Sequence, residues 1–135
     1  MLYPFISRSV LVLDSDPEES DLLLQAFAAE DYAIQFVETL QQVLEAVRHS
    51  PPALLVIEDT ALGLRLRDFV ARLQARRPNL PVAIIAGPEW DRWIECDERF
   101  CVVRKPLTAH VILERIIPLA PRESESAAYQ LVTLS

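Results

Sequence analysis

The chain has 135 residues and a net charge of −7, and 51% of its residues are hydrophobic. This length suffices for one domain that buries a core without disulfides or metal ions. No apolar run reaches the length of a membrane span, and the first residues lack the basic start and long apolar core of a signal peptide. We therefore expect a cytoplasmic protein that does not bind membranes, with Cys96 and Cys101 as free thiols. The acidic balance argues against direct binding of nucleic acid.

Apolar runs alternate with amphipathic stretches through the first part of the chain. The run Ser9–Asp14 predicts a first strand that stops at an acid. Asp16 then suits a helix N-cap and Pro17 suits the first helical position, so we expect a helix that runs to about Glu30. The run Ala33–Val37 predicts the second strand.

A second helix, a central strand and a third helix follow. Thr39 and Gln42 have the spacing of a capping box, and the helix that they begin is expected to end near residues 49–51. In the stretch Pro52–Asp59, five apolar residues precede two acids. Such a run is typical of a parallel strand that is buried on both faces. The third helix is predicted to end at Arg77.

The last part of the chain continues this alternation. The runs Val82–Ala86 and Phe100–Arg104 predict the fourth and fifth strands, and Thr108 suits the N-cap of a final helix. Residues 89–99 give only a weak and short helical signal. Strands and helices that alternate at this spacing predict a parallel sheet with helices on both faces.

Charged side chains follow three of these strands. Asp14 and Glu58 stand at the ends of the first and third strands, and Lys105, the only lysine of the chain, follows the fifth. The carboxyl ends of parallel strands meet at one edge of the sheet, where ligands bind in open α/β folds. Two carboxylates and an ammonium group at this edge are compatible with a divalent-metal site, a phosphoryl site or a salt bridge.

These residues also match a known pattern. Over about residues 9–119 the chain resembles the receiver domain of two-component response regulators. Receivers carry an acidic pair after the first strand, their phosphoaccepting aspartate follows a frequent proline by six residues, and a Lys-Pro pair follows the fifth strand. The corresponding residues of this chain are Leu13-Asp14-Ser15-Asp16-Pro17, Pro52 and Glu58, Gly63, Arg77-Pro78, Pro81-Val82, Ala86-Gly87 and Lys105-Pro106.

The resemblance implies a particular fold and domain organisation. We expect an α/β, flavodoxin-like (CheY-like), doubly wound sheet of five parallel strands in the order 2-1-3-4-5, with a shortened fourth helix. Residues 1–120 would form the receiver-like domain. Residues 121–135 would form a C-terminal tail or the stub of a linker.

The chain departs from the receiver pattern at the residues that carry the chemistry. Ser15 replaces one acid of the pair, Glu58 replaces the aspartate, and Ala86 lacks the hydroxyl that contacts the phosphoryl group in receivers. Val102 replaces a frequent aromatic residue, and the stretch between Ala86 and Lys105 is about three residues shorter than the family pattern. Because glutamate extends its carboxylate by about 1.5 Å, it is misplaced for phosphoryl transfer. These departures indicate a disabled phosphorylation switch.

We therefore expect an atypical receiver that signals by protein contact, independently of phosphorylation, and that is not an enzyme. Glu58 should form an ion pair with Lys105. Asp59 should point away from that pair, because neighbouring strand residues face opposite sides. No metal or other cofactor is expected.

Two alternatives remain open. In the first, Asp59 or Glu58 accepts phosphate, and Asp14, Asp16 and Glu58 hold a weakly bound Mg²⁺. In the second, a flavodoxin-like module binds a small ligand, such as a nucleotide or flavin, at the same edge. Acids in the first strand-to-helix turn, which has no glycine, argue against the second alternative because they repel a phosphate.

The expected partner is another protein or an output domain. Receivers commonly dimerise through a face formed by the fourth helix, the fifth strand and the fifth helix, and the resemblance implies a possible homodimer of this kind. On this surface we expect Trp90, Trp93, Arg104 and Ile112 to contact a partner, since tryptophan is enriched at binding hot spots.

Overall fold

The computed structural model describes residues 8–61, 66–87 and 98–121. Five strands form one parallel sheet in the order β2-β1-β3-β4-β5, which confirms the predicted order. The short fourth helix was predicted from residues that lie outside the described ranges. The strands are β1 (Ser9–Leu13), β2 (Ala33–Val37), β3 (Leu54–Glu58), β4 (Val82–Ala86) and β5 (Phe100–Arg104).

Helices lie on both faces of this sheet. Within the described ranges, three are regular α-helices, a short 3₁₀ turn follows β3, and a final helical segment contains an α, a π and a 3₁₀ part in succession. Their bounds are α1 (Pro17–Ala29), α2 (Leu40–His49), the 3₁₀ turn (Asp59–Ala61), α3 (Leu66–Arg76) and the final helical segment (Ala109–Val111, Ile112–Ile116 and Ile117–Leu119).

The predicted helix starts are confirmed by their capping contacts. The Asp16 carboxylate accepts hydrogen bonds from the N–H groups of Glu18 and Glu19 at the start of α1. Thr39 and Gln42 form the predicted capping box. These side chains satisfy N–H groups that have no partner within the helix.

The sheet divides the core into two layers. Odd-numbered residues of β1, such as Leu11, pack with α2 and α3, whereas even-numbered ones, such as Val12, pack with α1 and the final helical segment. All five residues of β3 are buried, as are all five of β4. Side chains on alternate sides of each strand thus fill both layers, as expected of a parallel sheet.

The prediction that Ile112 lies on a partner-binding surface is wrong. Ile112 has no exposed surface, because it packs with Ile116 against the layer that also contains Phe27. On the final helical segment the large hydrophobic residue that is exposed is Leu113 instead, 48% of whose surface is accessible. Sequence periodicity placed apolar residues on this segment but did not distinguish its inner face from its outer face.

Candidate functional site

The carboxyl edge of the sheet brings three predicted site residues together. β1 and β3 are neighbours in the sheet, so Asp14 after β1 lies beside Glu58 at the end of β3. Lys105 follows β5, two strands away from β3, and its backbone N–H donates to the carbonyl of Ala86 at 2.9 Å. The Lys105 side chain therefore starts at the same edge as both acids.

Glu58, which is buried, and Lys105, which is half-buried, form an ion pair at this edge. Lys105 Nζ donates to Glu58 Oε1 at 3.1 Å, which confirms the predicted pair. Glu58 is 1% exposed, and Thr60 supports its carboxylate with its hydroxyl and with its backbone N–H, the latter 3.3 Å from Oε1. Both carboxylate oxygens of Glu58 are thus engaged by groups of the same chain.

The ion pair shifts the pKa values of its two members in the directions that keep both charged. Burial raises the pKa of Glu58, but hydrogen bonds from Thr60 and Lys105 outweigh it and hold the pKa below the ordinary 4.5. Burial lowers the pKa of Lys105, but the hydrogen bond to Glu58 and the charges of Glu19 and Asp14 outweigh it and raise the pKa above 10.5. The pair is therefore charged at neutral pH.

Glu19 is a site residue that the sequence analysis missed. It lies in the first turn of α1, is 6% exposed, and its Oε2 lies 3.7 Å from Lys105 Nζ. An acid in the first turn of a helix is favoured by the helix dipole alone, so the residue type does not by itself indicate a site. The signal for its burial was its spacing, since Glu19, Leu23 and Phe27 are four residues apart and share the inner face of the helix.

Asp14 and Glu19 each have a carboxyl oxygen that is buried without a hydrogen-bond partner, Asp14 Oδ2 and Glu19 Oε1. The other oxygen of Asp14, Oδ1, accepts a hydrogen bond from the Asp16 N–H at 2.9 Å. Burial, together with Asp14, raises the pKa of Glu19 to about 8. Burial also raises the pKa of Asp14. At neutral pH Glu19 is therefore mostly protonated.

Asp59 occupies a separate position at this edge. Its Oδ2 accepts a hydrogen bond from the Gly87 N–H at 3.0 Å, and its Oδ1 is buried without a partner. The side chain thus lies against the end of β4, whereas Glu58 contacts Lys105. Ala86, the last residue of β4, is fully buried and has no hydroxyl to offer.

The other predicted site residues within the described ranges are not part of this cluster of charged side chains. Ser15 and Arg104 are exposed, and Asp16 serves as the N-cap of α1. Trp90 and Trp93 lie outside the described residues.

The described residues of this edge do not fit a Mg²⁺ site. Lys105 Nζ already lies between Glu58 and Glu19, and Ser15 contributes no charge. Mg²⁺ demands near-ideal octahedral oxygen ligands and dehydrates reluctantly. In the part of the chain that the structure describes, no three acidic, histidine or cysteine side chains are arranged to hold a metal ion.

The sheet order and the layering of the helices define a class of fold. The chain has the flavodoxin-like fold of response-regulator receiver domains, also called CheY-like. Within the described ranges, no helix is long and apolar enough to cross a membrane. The sequence matches no protein-family model, and no curated protein aligns with it significantly.

Solved structures with this fold include three from bacteria. The signal receiver domain of a LuxO repressor protein from Vibrio parahaemolyticus is 20% identical, with a TM-score of 0.65 over 95% of this chain and 98% of that one. A response regulator receiver protein from Sinorhizobium medicae is 13% identical, with a TM-score of 0.67 over 84% of this chain and 94% of that one. NtrX from Brucella abortus, in complex with ADP, is 21% identical with a TM-score of 0.66 over 93% of this chain. The chain spans only 28% of the NtrX chain.

The raised pKa of Glu19 predicts a pH dependence of folding. The unfolded chain releases this proton near pH 4.5 and the folded chain near pH 8, so the folded state binds more protons between these values. The free energy of unfolding should therefore fall as the pH rises through this window. Glu19→Gln, which cannot ionise, should remove most of this loss, which is at most about 5 kcal/mol, since the pKa rises from 4.5 to about 8 and one pKa unit corresponds to about 1.4 kcal/mol.

Urea unfolding of wild type and Glu19→Gln at several pH values in this window measures the effect. Glu18→Gln is the matched control, because Glu18 is the exposed neighbour in the same helical turn. This control should retain the wild-type dependence. Equal pH slopes for wild type and Glu19→Gln would show that Glu19 is ionised in the folded protein.

Proposed function

We propose that this domain is a pseudo-receiver, a signalling module that works by protein contact and does not use phosphorylation. One observation carries the proposal. In the place where the receiver pattern has its phosphoaccepting aspartate, a buried glutamate is already bonded to Lys105 and Thr60 through both oxygens. A carboxylate held in this way places a permanent negative charge in the site.

The chemistry of phosphoryl transfer supports the same interpretation. An attacking carboxylate must be aligned with the phosphoryl group, and a misplacement of about 1 Å can reduce the rate about 100-fold. Transfer also requires positive charge, often from Mg²⁺, to neutralise the phosphoryl oxygens. Here the lysine is paired with Glu58, Ser15 replaces an acid, and the Ala86 side chain cannot donate a hydrogen bond.

A protein partner or an output domain fits this proposal. The isolated receiver domain of NtrX from Brucella abortus is covered over 97% of its length by this chain, whereas the longer NtrX chain is covered over 28%. In NtrX, a domain of this fold is thus part of a longer chain. We propose that this module, in the cytoplasm, transmits a signal through a surface contact with such a neighbour, without contacting nucleic acid itself.

The proposal is tested with phosphoryl donors. The protein is incubated with acetyl phosphate and Mg²⁺ and its intact mass is measured, and amide NMR spectra are recorded with Mg²⁺ and then with beryllofluoride, a phosphoryl mimic. We expect no phosphoryl adduct and no saturable shifts around Asp14, Glu58 and Lys105. An adduct on Glu58 or Asp59 would overturn the proposal and identify a phosphorylatable receiver.

A variant that restores the receiver pattern is the positive control. Ser15→Asp combined with Glu58→Asp returns the second acid and shortens the acceptor, so it should bind Mg²⁺ with shifts confined to this edge. A well-dispersed spectrum establishes that the variant is folded. A folded variant that ignores Mg²⁺ would mean that the alignment of this chain with the receiver pattern is wrong.

A further inference from the structure

β2 is an edge strand without the usual protection. Among the described residues, its one neighbour in the sheet is β1. Its sequence, Ala33–Val37, contains no charged residue, proline or glycine. Natural proteins commonly protect an edge with such residues because its unpaired N–H and C=O groups can bind another strand.

The direction of the backbone identifies which groups are unpaired. The Ala33 N–H donates to the carbonyl of Arg8 at 2.8 Å, so Ala33 points its main-chain groups toward β1. In a parallel ladder, successive residues point these groups alternately to one side and the other. Gln35 and Val37 therefore face β1, whereas Ile34 and Phe36 direct their N–H and C=O groups to the outer edge.

The same two residues carry apolar side chains that the core covers only in part. Ile34 and Phe36 are paired with Val10 and Val12, whose side chains lie in the α1 layer of the core. Ile34 is half-buried there, and Phe36 remains 43% exposed. Outward hydrogen-bonding groups and uncovered apolar surface thus coincide at Ile34 and Phe36.

We propose that β2 pairs antiparallel with β2 of a second copy of this chain, about a two-fold axis through Gln35. In this register Ile34 of each copy lies opposite Phe36 of the other. Each such pair exchanges two main-chain hydrogen bonds, and each Phe36 ring is covered by Ile34 of the second copy. The strand is therefore complementary to itself.

The charges beside the strand agree with this register. Opposite Tyr32 of one copy would stand Glu38 of the other. The Arg8 guanidinium lies over the Tyr32 ring, 4.4 Å from its centre, while it donates hydrogen bonds to the carbonyls of Glu30 and Asp31, so a positive charge would lie near that glutamate. The symmetry repeats the contact at the other end, which favours a second copy over an unrelated strand.

The dimer should be weak. A stable protein interface buries at least about 1,000 Å², which is more than two five-residue edges supply. We expect a dissociation constant between about 10 μM and 1 mM. Sedimentation velocity of the full chain across this concentration range measures it, and amide hydrogen exchange should show protection of the Ile34 and Phe36 N–H groups that increases with concentration.

Two matched variants locate the interface. Phe36→Glu should weaken the dimer at least about tenfold, because it places a carboxylate against the apolar Ile34 of the second copy. Leu113→Glu changes a residue of similar exposure, 48%, on the final helical segment and should leave the dimer unchanged. Glu38→Arg should also weaken the dimer, because it brings arginines together.

Each other outcome overturns the inference. A wild-type protein that stays monomeric across the range excludes it. A dimer that is lost in Leu113→Glu but kept in Phe36→Glu uses the face common among receivers instead. Protection of Ile34 and Phe36 that does not depend on concentration means that another segment of the same chain occupies the edge.

Discussion

Lys105→Met is expected to lower the free energy of unfolding at neutral pH by about 2–4 kcal/mol. The methionine keeps the length and packing of the lysine stem but leaves Glu58, which is 1% exposed, without its cation. Removing one partner of a fully buried pair costs about 3–5 kcal/mol. The cost should be somewhat smaller here, because the Lys105 side chain is 29% exposed. Chemical denaturation of the two proteins measures the difference.

A double-mutant cycle separates the ion pair from the packing of the lysine stem. Glu58→Gln keeps the shape of the side chain and removes its charge. In the Glu58→Gln background, Lys105→Met should cost at least about 1 kcal/mol less than in the wild type. Additive effects of the two substitutions would contradict a direct pair.

The pH dependence of the same variants provides an independent check. The pKa of Glu58 is held below 4.5 in the folded protein, so its stabilising effect is present above that pH and is lost as the pH falls through the folded pKa. Without Lys105, burial dominates and the pKa should rise above 4.5. The contribution of Glu58 to the pH dependence of the free energy of unfolding then reverses its sign. Acidification toward pH 4.5 should therefore stabilise Lys105→Met relative to the wild type.

Phe27→Ala should lower the free energy of unfolding by about 3–5 kcal/mol, enough to unfold a large fraction of a marginally stable domain. Phe27 is completely buried between α1 and the sheet, and its ring meets Tyr32 edge-on at a centroid distance of 5.6 Å. Truncation leaves a cavity and removes this contact. Urea denaturation measures the loss.

Leu24→Ala is the matched control for this substitution. Leu24 lies three residues earlier on α1 and is 44% exposed, so its truncation should change stability by no more than about 0.5 kcal/mol. If both substitutions cost the same, α1 does not pack through the face that contains Phe27. Loss of that packing would also release Glu19, which lies on the same face of the helix.

Local patterns in the sequence were sufficient for most of the fold. The predicted bounds of β2, β4 and β5 agree with the structure, and the N-caps at Asp16, Thr39 and Thr108 are confirmed. Capping and strand formation depend on residues close to one another in sequence, so their signals can be identified without knowledge of the fold. The ion pair of Glu58 with Lys105 was also predictable, because parallel strands align their carboxyl ends at one edge.

What the sequence determined by itself was the order of strands and helices and the presence of Asp14, Glu58 and Lys105 at one edge. Only the tertiary structure decided which side chains are buried there. Glu19 became part of the site because α1 turns it toward Lys105, and burial beside Asp14 then raised its pKa. Ile112 became buried because the final helical segment turns it toward the sheet. Burial depends on how elements distant in sequence pack together, and the pattern within one element does not specify that packing.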